Sequence, residues 1–287
     1  MTDSSDSQRP GGPRPRQINV RVRRQDGPAR RPYWETFALP YEPDLNVISV
    51  LQKIAALGRN AAGKSVPPVA WECNCLEEIC GACTMLINGR VRQACTALVD
   101  RLLEQNPREI RLEPMSKFPV VRDLVVDRTR IFATLKKVSA WVPVDNYLDL
   151  GPGPRQSQEN QEIAYLLSKC MSCGCCMEAC PQFLKIEVRR LPGESEDDYR
   201  RREGEITNHA FMGAAAVAQI DLFNSNPIGA MNARERLDVL IGEGGIQVCG
   251  NAQNCVKVCP KEIPLTTSIA RMGRAATIHM FRRWFDL

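Results

Sequence analysis

The sequence predicts an α+β chain of two domains, the first rich in strands and the second mostly helical. Three observations carry this expectation. Alternating apolar residues and a tight-turn signal crowd into residues 17–115, helical periodicity takes over beyond Pro119, and thirteen cysteines fall mostly into short, closely spaced groups within 287 residues.

Taken in order, residues 1–16 are rich in Pro, Gly and Arg and predict a disordered, solvated arm. In QINVRVR (17–23), Ile18, Val20 and Val22 alternate with polar residues, and YWETFALP (33–40) is aromatic and Thr-bearing, so both are expected strands. NVISVLQKIAALG (46–58) sets Val47, Val50, Leu51, Ile54 and Leu57 on one helical face, with Gly58 suited to the stop. GRNAAGKS (58–65) matches the phosphate-loop string, yet it follows a helix and runs into Pro67-Pro68. A working loop of that kind follows a strand and opens a helix, so nucleotide binding is set aside. TMLINGRVRQ (84–93) centres on Asn88-Gly89, the strongest short signal for a two-residue hairpin, and EIRLEPM (109–115) supplies a further short strand.

The domain boundary is expected near Pro119, giving a first domain over 17–119 and a second over 120–287. The run VVRDLVVDRTRIFATLKKV opens the second domain with helical periodicity, LGPGPRQSQ (150–158) breaks it, and helices are expected at about 159–168, 194–204, 209–223, 231–241 and 265–285.

Composition narrows the classes of function. The net charge is +5, with many arginines between Arg9 and Arg31 but no nucleic-acid motif among them, so no nucleic-acid partner is expected. No apolar run reaches the ~18 residues of a membrane span. The N-terminus has neither the apolar centre of a secretory signal nor the acid-poor composition of a transit peptide, and cysteines at fixed short spacings argue for a reducing compartment; a bacterial cytoplasm is expected. The two histidines, His209 and His279, form no catalytic constellation with their neighbours, so no catalytic residue is assigned.

The chemistry lies in the cysteines. Cys75, Cys80 and Cys83 have the C-x4-C-x2-C spacing of plant-type 2Fe-2S ferredoxins, and Cys95 is the distant fourth. The turn at Asn88-Gly89 pairs 83 with 94, which carries Cys95 back beside Cys83. Further on, CMSCGCCMEACP (170–181) holds the bacterial pattern C-x2-C-x2-C-x3-C-P in Cys170, Cys173, Cys176 and Cys180, while CGNAQNCVKVCP (249–260) repeats it with Ala252 in second place. In two-cluster ferredoxins the fourth cysteine of each run serves the other run's cluster. Cys170, Cys173, Cys176 and Cys259 then make a 4Fe-4S site, and Cys180, Cys249 and Cys255 the three-thiolate site of a 3Fe-4S cluster. Cys73 and Cys175 are left over. A tetrahedral zinc site also takes four thiolates, but the asymmetric spacing is the ferredoxin one.

These ordered motifs resemble the iron-sulfur subunit of succinate dehydrogenase and quinol:fumarate reductase, the bacterial complex II family. The resemblance implies a β-grasp domain bearing the 2Fe-2S cluster, then an α-helical ferredoxin domain. It also implies an electron-transfer role between a separate FAD-bearing flavoprotein, where succinate reacts, and a membrane anchor subunit with quinone, at the cytoplasmic face of the inner membrane. Quinone-side contacts are implied at Pro181, Phe183 and Gly250. Here the chain departs from ubiquinone-using members, with Leu184-Lys185 in place of a Trp pair and Gly250 in place of a His. Menaquinone and ubiquinone both stay open, as does the direction of the reaction, since a fumarate reductase would use the same ligands.

Overall fold

The computed structural model describes residues 16–142 and 154–285; the expected arm lies, apart from Arg16, outside the described residues. Strand β1 (Gln17–Arg24) buries Ile18, Val20 and Val22 on one face and ends in a buried arginine. It pairs antiparallel with β2 (Tyr33–Pro40). Helix α1 (Val47–Leu57) begins at Asn46, whose side chain accepts from the Ser49 N–H, and stops at Gly58 with φ 64°, the left-handed cap that glycine takes without strain. Strands β3 (Thr84–Ile87) and β4 (Arg90–Gln93) form the expected hairpin, with Asn88 and Gly89 both at positive φ. After α2 (Val99–Gln105), β5 (Ile110–Glu113) enters between β1, to which it runs parallel, and β3, to which it runs antiparallel. The order β2-β1-β5-β3-β4, with α1 contributing its apolar face to the same core, is a β-grasp.

Residues 120–126 depart from the expected helix. They form a small hairpin, β6 (Val120–Arg122) and β7 (Val125–Val126), and α3 (Thr129–Lys137) starts only afterwards. Valines lose rotamer freedom in a helix and suit a strand. Asp123 takes the left-handed region at φ 47°, and its buried carboxylate accepts from Arg24 Nε at 2.9 Å, the Gln25 N–H at 3.0 Å and the Ala70 N–H at 2.8 Å. The hairpin straddles the expected boundary, because Leu124 packs into the first core while Phe118 and Val126 pack into the second.

The second half is helical: α4 (Gln158–Ser168), α5 (Cys175–Glu178), α6 (Glu196–His209), α7 (Ala214–Ser225), α8 (Ala233–Ile241), α9 (Asn254–Lys257) and α10 (Leu265–Trp284). The alanines 214–216 and 218 of α7 are buried, and such small side chains let α4, α8 and α10 close on it. Among the described residues no helix is long and apolar enough to cross a membrane.

Candidate metal centres

The first site is built by a coiled loop and the β3–β4 hairpin. Leu76, Glu78 and Gly81 all have positive φ, which wraps the chain around Cys75 and aims the N–H groups of Glu77, Ile79 and Cys80 at its Sγ, at 3.4, 3.3 and 3.3 Å. These donors favour the thiolate and hold the Cys75 pKa down to about 6. Cys80 Sγ accepts from the Ala82 N–H at 3.4 Å. Pairing of Thr84 with Gln93 continues one step into the loop, where the Ala94 N–H donates to the Cys83 carbonyl at 3.1 Å, and Cys95 lies within hydrogen-bonding reach of Cys83. Burial, reinforced by Cys83, pushes Cys95 up to about 11. Cys73 stands exposed ahead of the loop.

The two later cysteine runs fold alike. Cys173 sits between Ser172 (φ 52°) and Gly174 (φ 85°), and Ala252 sits between Asn251 (φ 51°) and Gln253 (φ 59°). In each run a single helical turn, α5 or α9, starts two residues later and carries the third cysteine inward. The runs interlock. Cys170, Cys173 and Cys176 line one hollow together with Cys259 from the other run, closed by apolar Ile131, Ala215, Ile263 and Leu265. Cys249, Cys255 and Ala252 line a second hollow together with Cys180 from the first run. Burial raises the pKa of Cys170, Cys176 and Cys255, so their thiolates call for a cationic partner such as iron. Among the described residues no three His, Cys, Asp or Glu side chains are arranged to hold a single metal ion. The thiols ring hollows instead, and a cluster spreads its ligands over several irons.

Between the sites the packing is close. A Cβ placed on Gly81, which also has φ 73°, would stand 2.7 Å from Cys173 Cβ, so the first loop meets the second through bare backbone. Arg128, just ahead of α3, fixes that loop by donating to the Gly81 carbonyl at 2.8 Å and the Ala82 carbonyl at 3.1 Å.

The residues expected on the quinone side separate. Pro181 and Gly250 are exposed and rim the second hollow. Phe183 is fully buried beneath the Arg130 guanidinium, 3.8 Å from its ring centroid, and Gln182 takes the place at the rim. Nothing in the spacing singles out that glutamine, which is found only through its contact with Gly250. His279 is buried against Asp238 at 2.8 Å and His209 pairs with Glu243 at the surface.

Residues 19–133 match a family described as a 2Fe-2S iron-sulfur cluster binding domain, and residues 166–263 a 4Fe-4S dicluster domain. The chain is 50% identical to the succinate dehydrogenase iron-sulfur subunit of Bacillus subtilis over 93% of its own length and 96% of that subunit. It is 30% identical to the fumarate reductase iron-sulfur subunit of Mycobacterium tuberculosis, covering 73% of this chain and 75% of that one. A chain of the Mycobacterium smegmatis Sdh1 complex in the apo form shares the fold, with a TM-score of 0.66 over 92% of this chain and 97% of that one at 21% identity. With half its residues shared along nearly the whole of one such subunit, and with both cluster domains in the same order, the chain belongs to the family of succinate dehydrogenase iron-sulfur subunits.

Proposed function

We propose that this chain conducts electrons within a succinate:quinone oxidoreductase, from a FAD-bearing subunit on the Cys75 side to a quinone held with a membrane anchor subunit on the Cys249 side. The observation that carries this reading is the unbroken succession of thiols. It runs from an exposed loop at Cys75, through the enclosed hollow of Cys170, Cys173, Cys176 and Cys259, to an exposed rim at Cys249.

In this reading Cys75, Cys80, Cys83 and Cys95 hold a 2Fe-2S cluster, Cys170, Cys173, Cys176 and Cys259 a 4Fe-4S cluster, and Cys180, Cys249 and Cys255 a 3Fe-4S cluster. Bound there, these groups supply one-electron redox centres. The chain's own part is to hold and insulate. Backbone N–H groups around Cys75 stabilise its thiolate, the apolar walls of the middle hollow exclude water, and Gly81 keeps the first and second sites in contact. Ala252 leaves the last site a thiolate short. Pro181, Gln182 and Gly250 form the quinone-facing rim, and the chain sits as a peripheral subunit on the cytoplasmic face. The domains divide near residue 119, with the β6–β7 hairpin as the seam. The B. subtilis relative supports succinate oxidation over the fumarate reductase reading.

The test is purification of the chain in its complex, with iron and acid-labile sulfide analysis, EPR, and succinate-driven quinone reduction. Three distinct cluster signals and activity that depends on both partner subunits are expected. A complex lacking the near-isotropic signal of an oxidised 3Fe-4S centre overturns the assignment of the last site.

A further inference from the structure

The segment that leads out of the β-grasp grips the first cysteine run of the helical half. Glu178, buried in α5 between Cys176 and Cys180, accepts from the Ser116 N–H at 2.9 Å, the Ser116 hydroxyl at 2.5 Å and the Lys117 N–H at 3.1 Å. Phe118, the next residue, is fully buried with its ring centroid 5.8 Å from that of Phe183. Lys117 is therefore pinned on both sides, and its ammonium donates to the carbonyl oxygen of Cys180, the fourth cysteine of the run. The same carbonyl accepts from the Phe183 N–H at 3.2 Å, and the Ala179 carbonyl beside it accepts at 3.1 Å from Nδ2 of Asn254, a residue of the other run. Cys180 thus stands where three parts of the chain meet: its own run, the second run and the linker from the β-grasp.

We propose that Lys117 is a positioning residue for the last cluster: its ammonium holds Cys180 by the carbonyl and makes the 3Fe-4S centre a readier electron acceptor than its three thiolates alone would. The inference rests on the ligand assignment proposed above, in which Cys180 leaves its own run to serve the site of Cys249 and Cys255. A lysine ammonium is a compact charge on a flexible stem, and here the anchored neighbours Ser116 and Phe118 fix where that stem begins. An electron added to a cluster spreads as negative charge over its sulfurs. A cation fixed on the same residue as a ligand sulfur therefore favours the reduced form and raises the potential. The nearby Glu178 carboxylate is already met by three donors, whereas the carbonyl that the ammonium holds belongs to the ligand itself.

The experiment is an EPR-monitored redox titration of the intact complex carrying Lys117→Met, Lys117→Gln or Lys117→Arg. Lys117→Met, which keeps the stem and removes the charge, is expected to shift the 3Fe-4S centre about tenfold toward the oxidised form at a given potential, which is about 59 mV downward for one electron. Lys117→Gln, which keeps a donor without the charge, should shift it in the same sense, and Lys117→Arg should hold the wild-type value. A 3Fe-4S potential unmoved in the two neutral variants overturns the proposal, and so does an arginine variant that falls as far as they do. Loss of the 3Fe-4S signal from both neutral variants also overturns it, since Lys117 then serves assembly alone. A shift confined to the 4Fe-4S centre overturns it as well, because Cys180 then acts on the cluster of its own run. A wild-type complex without the near-isotropic 3Fe-4S signal is a different failure, that of the cluster assignment itself.

Discussion

The side-chain amide of Gln182 lies across Gly250, so closely that a Cβ on the glycine would stand 2.7 Å from Nε2. Both residues rim the hollow of Cys180, Cys249 and Cys255. The amide is the far end of a flexible side chain, so Gly250→Ala displaces it without disturbing the fold. The expected outcome is three intact EPR signals with quinone reduction weakened about fivefold in kcat/KM, the cost of one lost hydrogen-bonding contact of about 1 kcal/mol. Unchanged kinetics with a naphthoquinone and a benzoquinone would remove Gln182 and Gly250 from the quinone side.

Ala252 has the backbone setting of Cys173, so a cysteine there needs no rearrangement of the chain. Ala252→Cys is expected to recruit a fourth iron. The oxidised 3Fe-4S signal should vanish, a second reduced 4Fe-4S signal should appear, and quinone reduction should slow because the added thiolate lowers the potential. Reduction of an artificial acceptor at the flavin side should survive. Unchanged iron content and EPR in a folded complex would show that position 252 does not face the cluster.

Ligand choice is tested by three serine variants. Cys75→Ser is expected to abolish the 2Fe-2S signal, because the three N–H donors converge on that sulfur. Cys73→Ser, at an exposed position, and Cys175→Ser should keep all three signals. EPR of each purified complex decides the matter, and a cluster lost from either of the last two would make that thiol a ligand.

The seam between the halves depends on Asp123. Asp123→Ala removes the partner of Arg24 Nε and leaves a guanidinium whose side chain is 0% exposed with the partly buried Glu35 and two proline carbonyls. Breaking a buried pair from one side costs about 3–5 kcal/mol. The apparent melting temperature of the complex is expected to fall, with hydrogen exchange rising first in β1 and around Ala70. An unaltered melting temperature would show that the remaining partners suffice.

What the sequence makes legible is local. Alternation in 17–23, the Asn88-Gly89 turn and the helical face of 47–57 each depend on residues a few positions apart, and each appears where expected. The cysteine spacings belong to the same class, and even the exchange of fourth cysteines follows from a known pattern of paired runs. The hairpin at 120–126 does not, because its cause is a carboxylate captured by an arginine 99 residues earlier. Lys117 and Gln182 escape notice for the same reason. Their significance lies in what folding brings to them, and neither a linker lysine nor a rim-lying amide has a sequence signature. Phe183 misleads in the opposite way: the family resemblance implies a quinone-side contact there, while the turn after Cys180 sends its ring into the core.

The likeness of the two cysteine runs has a consequence for the direction of flow. A molecule assembled from two equivalent halves, each feeding its last sulfur to the other, has no intrinsic front or back, and its two centres would hold an electron equally well. Sulfur is present at 173 and absent at 252 on backbones of the same shape. That one missing atom breaks the symmetry at almost no expense to the architecture, and on the proposed ligand assignment it leaves one of the two centres of the duplicated half a thiolate short.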